Sequence, residues 1–305
     1  MSKKIAVTTT SFAVHSSEPL DLLRRAGFEA VTNPLGRVLT AEETVSFLCG
    51  LEGVVAGTEP MRREVLSALP ELKVISRVGV GLDNVDLAFA RERGITVLNT
   101  PNGPTRAVAE LAVGLALDLL RQVSHMDREL RGGVWKKRMG RLLLGKRVGV
   151  VGMGRIGQAT ADLFGALGTA VAYADPCTAP DNHTRMDLTD LLGWADIVTM
   201  HCSNPDCQGY LIGPAELDAM RPGAYLINLA RGNILDEAAL AERLSDGRLA
   251  GAALDVFGKE PYQGPLADLD NVVLTPHIGS YGLEGRIKME VDAVENLLRA
   301  LGAGS

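Results

Sequence analysis

Cysteine is scarce in this chain and ill-placed for cross-linking. The four residues, Cys49, Cys177, Cys202 and Cys207, form no C-x-x-C pair, so no disulfide framework is expected and a reducing, cytoplasmic setting fits best. A zinc site built from His201, Cys202 and Cys207 would need a different ligand spacing, and no metal is expected. Positive charge is also in short supply. Lys and Arg total 31 against 37 Asp and Glu, a formal net charge of −6, which argues against nucleic acid or an anionic membrane as a main partner. Long uncharged apolar runs are missing as well. Lys3 and Lys4 lead straight into a short strand with no signal-peptide pattern. The most apolar helical segment, residues 107–120, carries Glu110 and Asp118, which excludes a membrane span there. No internal repeat or low-complexity segment is present. What remains is a chain of 305 residues, 46% hydrophobic and 22% charged, the profile of a globular protein long enough for two domains.

The pattern along the chain alternates strand and helix. Residues 5–8, 29–32, 54–56, 73–78 and 96–98 read as strands. Helices are predicted at 20–26, ended by Gly27, at 41–49 behind a Thr40 cap with Glu43 three residues on, at 62–68 and at 85–93. This is a small α/β unit of parallel strands. A turn-rich break at residues 99–104 precedes a long helix whose stripe is Val108, Leu111, Ala112, Leu115, Leu119 and Val123, suited to a bridge between domains or a subunit contact. A second α/β unit runs from about 146 to 276, and a last helix near 283–301 is expected to fold back onto the first domain. The expected fold class is therefore α/β, with two Rossmann- or flavodoxin-like parallel-sheet domains and a cleft between them. Residues 1–100 plus 281–305 would form a substrate domain and residues 101–280 a dinucleotide-binding domain.

The most informative stretch is Arg147-Val-Gly-Val-Val-Gly-Met-Gly-Arg-Ile-Gly157, followed 18 residues later by Asp175. Gly152 allows a sharp turn out of a strand, Gly154 a close approach of backbone to a pyrophosphate, and Gly157 tight packing of the following helix. The helix start at Arg155 and Ile156 leaves unpaired N–H groups and a partial positive charge for a diphosphate. Ile156, Ala159, Leu163, Phe164 and Leu167 give that helix an apolar face, and Gly168 can end it. Asp175 closes a second strand, where a carboxylate accepts ribose hydroxyls and repels a 2′-phosphate, favouring NAD over NADP. With 34 glycines in the chain, the glycines alone would be a weak signal. The strand before, the helix after and the acid at this distance make it a strong one.

Three later segments look chemical. Leu226-Ile-Asn-Leu-Ala-Arg-Gly232 ends an apolar strand in Arg231, where a guanidinium can grip a carboxylate through two parallel hydrogen bonds. Ala252-Ala-Leu-Asp-Val-Phe-Gly-Lys-Glu-Pro261 supplies Asp255 and Glu260, and Val272-Val-Leu-Thr-Pro-His277 ends another strand in histidine. A carboxylate beside an imidazole orients it and favours its protonated form, as a general acid requires. Of the other four histidines, His125 on a helix and His183 in a polar loop read as solvated, His15 lies in a loop, and His201 ends a strand on the adenosine side.

At this point the sequence resembles the D-2-hydroxyacid dehydrogenases, in the branch similar to D-3-phosphoglycerate dehydrogenase. The resemblance covers nearly the whole chain through Arg77-Val-Gly-Val-Gly-Leu-Asp-Asn-Val-Asp86, Val108-Ala-Glu110, the glycine motif, Asn228-Leu-Ala-Arg-Gly232, Ala253-Leu-Asp-Val-Phe257 with Glu260-Pro261, and Pro276-His-Ile-Gly279. It implies an NAD-dependent enzyme that interconverts a D-2-hydroxy acid and its 2-keto acid. Arg231 would hold the substrate carboxylate and polarise the carbonyl, and His277 would be the acid/base with Glu260 as its partner. Asp255 would contact the nicotinamide carboxamide. His201, Cys202 and Ala230 would join the cofactor contacts, and Arg77 with the Val80-Gly81 backbone would reach the substrate. A homodimer joined through the dinucleotide domains is also implied. The alternatives are a glyoxylate- or hydroxypyruvate-type reductase, one acting on another anionic C3 keto acid, or a non-enzymatic NAD-sensing binding protein. Ser203-Asn204-Pro205, Pro104 and Tyr281-Gly282 depart from the family's pattern. So does Glu59, an acid beside Ala56, where animal phosphoglycerate dehydrogenases carry an arginine for the phosphate. Unless Arg77, Arg106 or another base compensates, Glu59 speaks against 3-phosphoglycerate.

Overall fold

The computed structural model describes residues 3–180, 182–202 and 209–303. They form two compact units, one running to Pro104 and resuming at Ser280, the other spanning Thr105–Gly279.

The first unit holds β1 (Lys3–Val7), α1 (Glu18–Arg25), β2 (Phe28–Thr32), α2 (Ala41–Leu48), β3 (Gly53–Ala56), α3 (Arg63–Ser67), β4 (Val74–Arg77), α4 (Leu87–Glu92) and β5 (Thr96–Leu98). All five strands are parallel, in the order β2-β1-β3-β4-β5. Alternate side chains serve opposite faces of the sheet, as the two-residue period of a strand dictates. Ala6, Val54, Ala56 and Ile75 pack with Leu48, Leu66 and Phe89 on one face. Val7, Val55 and Val74 pack with Leu23 and with Met289, Val294 and Leu297 on the other. The latter three come from the C-terminal helix of the chain, which covers this sheet. The Thr40 capping box forms, with Glu43 N–H donating to Thr40 Oγ1 and Thr40 N–H to Glu43 Oε2. α4 is shorter than the 85–93 expected, because Asp86 caps it by accepting Phe89 N–H at 2.9 Å while Val85 pairs with Met61 outside the helix.

The second unit begins with most of α5 (Gly103–Arg121), followed by α6 (Val123–Arg131), β6 (Arg147–Val151), α7 (Arg155–Ala166), β7 (Ala170–Ala174), β8 (Thr184–Arg185), α8 (Leu188–Trp194), β9 (Ile197–Met200), α9 (Pro214–Ala219), β10 (Tyr225–Asn228), α10 (Glu237–Ser245), β11 (Gly251–Leu254) and β12 (Val272–Leu274). The remaining helix, α11 (Leu283–Ala300), is the one packed in the first unit. Seven parallel strands run in the order β12-β11-β10-β9-β6-β7-β8. The chain proceeds outward from β6 through β7 and β8, then returns to β9 on its other side. The crevice at that reversal, outside the carboxyl ends of β6 and β9, is where such sheets bind ligands. Val108, Ala112, Leu115 and Leu119 of α5 pack on Val148, Val150 and Ile227. The predicted stripe fails at its last member: Gln122 is left-handed (φ 53°) and interrupts the helix, which leaves Val123 exposed. Among the described residues no helix is long and apolar enough to cross a membrane.

Candidate active site

The glycine turn follows β6. Gly152 has φ 92°, and a Cβ there would lie 2.6 Å from Cys202 Cβ and 2.7 Å from its backbone nitrogen, so both the dihedral and the space demand glycine. A Cβ on Gly157 would lie 2.0 Å from Gly152 O, which is how α7 comes down onto the turn. Gly154 caps α7 in an extended conformation, and nothing lies within 4 Å of where its Cβ would be. The first turn of a 12-residue helix thus opens at a bare stretch of backbone, with Arg155 exposed and Ile156 half-buried. The helix's buried face is Gly157, Thr160, Ala161 and Phe164, one position off the stripe expected, and Leu167 is exposed at the C-terminal cap.

Asp175 stands just past β7. Its Oδ2 accepts Met153 N–H at 2.6 Å, and its Oδ1 accepts Cys177 and Thr178 N–H at 2.8 Å each. Partial burial raises its pKa, but the three backbone donors outweigh that, so the carboxyl titrates below its ordinary range. It remains half-buried, an acid with open surface at the end of the second strand. The open Gly154 backbone, the helix start and this carboxylate suit the diphosphate and ribose of a dinucleotide. His201 and Cys202 follow β9 on the other side of the turn. The His201 ring is held 2.8 Å from Thr199 Oγ1, and burial pushes its pKa down to about 3. Burial also pushes the Cys202 thiol up to about 11, so both are neutral at pH 7.

The chemical residues follow three neighbouring strands at the carboxyl edge of the same sheet. β10 ends at Asn228, fully buried, whose Nδ2 donates to Arg231 O and whose Oδ1 accepts Ala230 N–H, both at 3.0 Å. This clamp shapes the bend that presents the half-buried Arg231, whose Nη1 also donates to Ala230 O at 2.8 Å. A Cβ on Gly232 would fall 1.8 Å from the carbonyl carbon of Phe257. The Arg231 bend therefore rests main chain to main chain on the segment leading to Glu260. That segment is tied by Phe257 N–H to Glu260 Oε1 at 3.1 Å, by Gly258 N–H to Glu237 Oε1 at 2.7 Å, and by stacking of Phe257 on Tyr262.

β12 delivers His277, which adopts a left-handed φ of 55°. The conformation is held by Asp255, the residue after β11. Its Oδ1 accepts Thr275 Oγ1–H at 2.6 Å and Ile278 N–H at 2.8 Å, and its Oδ2 accepts Gly279 N–H at 2.7 Å. His277 Nδ1 lies 3.0 Å from Glu260 Oε2. With Nδ1–H given to the carboxylate, Nε2 is the nitrogen left to exchange a proton with a substrate. Both side chains are substantially exposed.

In the first unit Arg77 ends β4, its Nη1 donating to Val78 O at 3.0 Å. Gly79 (φ 135°) turns the chain, and Val80 is exposed with Gly81 half-buried beside it. Gly79 N–H donates to Thr100 Oγ1 at 2.8 Å, and Val80 O accepts Asn99 Nδ2–H at 2.7 Å.

Glu59, the acid that departs from the family's pattern, is 1% exposed and turned into the fold. Two expectations need correction. His125 and His183 are not solvated, each ring being 12% exposed. His183 Nε2 lies 3.1 Å from Asp162 Oδ1. His125 sits between Glu129 and Asp270 at 3.5 and 3.6 Å and lines a cavity of about 400 Å³ with Tyr225, Gly251 and Val272. Those three residues begin or adjoin the starts of β10, β11 and β12, so this cavity lies at the edge of the sheet opposite His277. Asp255, read from the resemblance only as a cofactor contact, is 1% exposed and braces the His277 loop. Thr275 and Asn228 were passed over, although each is a polar residue at the end of an apolar strand, which is a usable signal. Cys207 and Ser203-Asn204-Pro205 lie outside the described residues.

Comparison with known proteins places this geometry among relatives. Residues 113–279 match the family model described as D-isomer specific 2-hydroxyacid dehydrogenase, NAD binding domain. The chain is similar to D-3-phosphoglycerate dehydrogenase of Archaeoglobus fulgidus, at 36% identity over 93% of this chain and 55% of that one. It thus spans about half the length of the phosphoglycerate dehydrogenases it matches. It is also similar to hydroxypyruvate reductase of Thermotoga maritima, at 33% identity over 95% of this chain and 99% of that one. Among solved structures, the TT0316 protein of Thermus thermophilus superposes with a TM-score of 0.91 at 38% identity, covering 99% of this chain and 98% of that one.

Proposed function

The chain belongs to the D-isomer specific 2-hydroxyacid dehydrogenases, and from that premise we propose that it interconverts a D-2-hydroxy acid and its 2-keto acid. The observation that carries the reading is the His277–Glu260 pair, 3.0 Å apart, on the edge of the sheet that also bears the glycine turn and Arg231. Arg231 binds the substrate carboxylate and lies against the C2 oxygen, whose developing negative charge it stabilises. Glu260 holds Nδ1 of His277, so that Nε2 gives a proton to that oxygen in reduction and removes it in oxidation. The glycine turn, His201, Cys202 and Ala230 would hold a nicotinamide dinucleotide, which would supply or take up the hydride, and Asp255 would act on it through the loop it braces. Asp175 favours NAD over its 2′-phosphorylated form. Arg77 and the Val80–Gly81 backbone are assigned to substrate binding.

The reading includes a homodimer and a reducing, cytoplasmic setting. Trp135, Met139, Leu142 and Leu144 are 70–94% exposed within ten residues of one another, apolar side chains suited to burial against a second copy. Cys49, Cys177 and Cys202 carry free thiols. Sedimentation as a monomer at micromolar concentration would remove the dimer from the proposal.

The deciding experiment is NADH oxidation against a panel of 2-keto acids including glyoxylate, hydroxypyruvate, pyruvate and 3-phosphohydroxypyruvate. Turnover of at least one, lost in His277→Ala, is expected. Tight NADH binding with no turnover on any of them would instead identify a sensor of the dinucleotide.

A further inference from the structure

Glu59 takes no part in the chemistry above, yet its carboxyl is withdrawn from water, and such a group persists only when its partners compensate. Thr8 Oγ1 lies 2.5 Å from Oε1, and Gly57 N–H points at both oxygens, 3.2 and 3.1 Å away. Burial pushes the pKa up, while Thr8, the local backbone donors and the charge of Arg77 pull it back. Gly57 is closely packed: a Cβ there would sit 3.1 Å from Glu59 Oε2 and 3.2 Å from Thr9 Cα. The side chain of Glu59 therefore locks the end of β3 to the end of β1.

Its main chain reaches the other way. Glu59 O accepts Asn84 Nδ2–H at 2.6 Å. Two residues on, Met61 N–H donates to Asn84 O at 2.8 Å and Met61 O accepts Asp86 N–H at 2.9 Å. Residues 59–61 and 84–86 thus run together as a short parallel pair. The intervening loop, residues 79–84, carries Val80 and Gly81. Its near end is tied to Thr100 and Asn99, and its far end rests on Glu59.

We propose that Glu59 is a positioning residue for substrate: its buried carboxyl fixes residues 57–61, and through Asn84 these set the Val80–Gly81 backbone where a substrate carboxylate is received. This rests on the role given to Val80–Gly81 above. An isosteric amide can keep the Gly57 N–H and Thr8 contacts, whereas alanine removes the group on which both converge and leaves only the weaker bonds of Gly57 N–H to Thr8 Oγ1 and of that hydroxyl to Val55 O, at 3.1 and 3.3 Å. The dinucleotide motif belongs to the other unit and does not depend on this strap.

The test uses the full-length chain with Glu59→Ala, Glu59→Gln and Asn84→Ala. It reads kcat and KM with NADH and the best keto acid of the panel, the Kd of NADH by fluorescence, and hydrogen exchange at amides 79–86. Glu59→Ala and Asn84→Ala should raise KM for the keto acid by about tenfold, the effect of losing about one net hydrogen bond of positioning. NADH Kd should hold, exchange in the loop should rise, and Glu59→Gln should restore KM. Faster exchange with unchanged KM would overturn the proposal, as would KM and NADH Kd worsening together. If Glu59→Ala does not fold, Asn84→Ala, which keeps the carboxyl in place, decides by the same criteria. A wild-type chain that reduces no keto acid defeats the functional reading instead, and the strap then stands or falls on whether Asn84→Ala accelerates exchange at 79–86.

Discussion

Replacing Asp255 by asparagine changes one oxygen for an NH2 group with almost no change in shape. Three donors now converge on two carboxylate oxygens: Thr275 Oγ1–H and Ile278 N–H on one, Gly279 N–H on the other. If the amide nitrogen faces Gly279, that N–H meets another donor. If it faces Thr275, the hydroxyl can rotate to accept, but Ile278 N–H is stranded. Either way one enclosed backbone N–H loses its partner, at a cost of about 1–3 kcal/mol, and the surviving bonds lose their charge assistance, about 1 kcal/mol each. Relief from burying a charge offsets part of this, leaving a net destabilisation of about 2–3 kcal/mol. For a unit of this size that lowers Tm by roughly 5–10 °C. Because the same bonds hold His277 at its left-handed φ, kcat should also fall by about tenfold or more through misplacement of the acid/base. Calorimetry and steady-state turnover measure the two effects separately. A normal Tm would refute the accounting of donors, and a lowered Tm with full kcat would refute the link from Asp255 to His277.

Other substitutions probe the rest of the site. His277→Ala should lower turnover by about a hundredfold or more, the usual size of acid/base assistance. Glu260→Gln should cost less than His277→Ala, and equal losses would mean that Glu260 does more than orient the ring. Asp175→Ala should narrow the preference for NADH over NADPH, measured as the ratio of kcat/KM. Since the carboxylate also accepts Met153, Cys177 and Thr178 N–H, the variant should lose stability too, and an unaltered coenzyme ratio would remove Asp175 from ribose recognition. His201 is held neutral, its pKa pushed down from an ordinary 6.5 to about 3. The unfolded chain takes up this proton near pH 6.5 and the folded one only near pH 3, so the contribution is whole above 6.5 and drains away as pH falls toward 3. Between pH 7 and pH 5 the loss is about 2 kcal/mol. It should be visible in urea unfolding of the wild type and absent in His201→Gln, and identical pH slopes in the two would contradict it.

The glycine turn and the strand-end arginine and histidine were legible because their signals are local. A strand, Gly152, Gly154, Gly157 and an acid 18 residues on specify one another in a single stretch of chain. The burial of single polar groups was not legible, because it depends on what a distant segment brings. Nothing near Glu59 in sequence announces Thr8, and nothing near His125 announces Asp270. The bracing work of Asp255 was hidden for the same reason, since its partners lie 20–24 residues downstream. Val123 fits the apolar stripe of α5 perfectly well as a pattern, but periodicity carries no information about a left-handed residue at 122.

Gly232 and the carbonyl of Phe257 touch with no side chain intervening. The span from the guanidinium segment to the segment bearing the histidine's carboxylate partner is therefore set by peptide planes, which cannot be retuned by exchanging rotamers. On the proposed function, a fixed gauge of this kind suits the part of a 2-hydroxy acid that never varies, the carboxylate and its adjacent carbon. Under that function, efforts to redirect substrate choice should therefore leave positions 231, 232 and 257 alone.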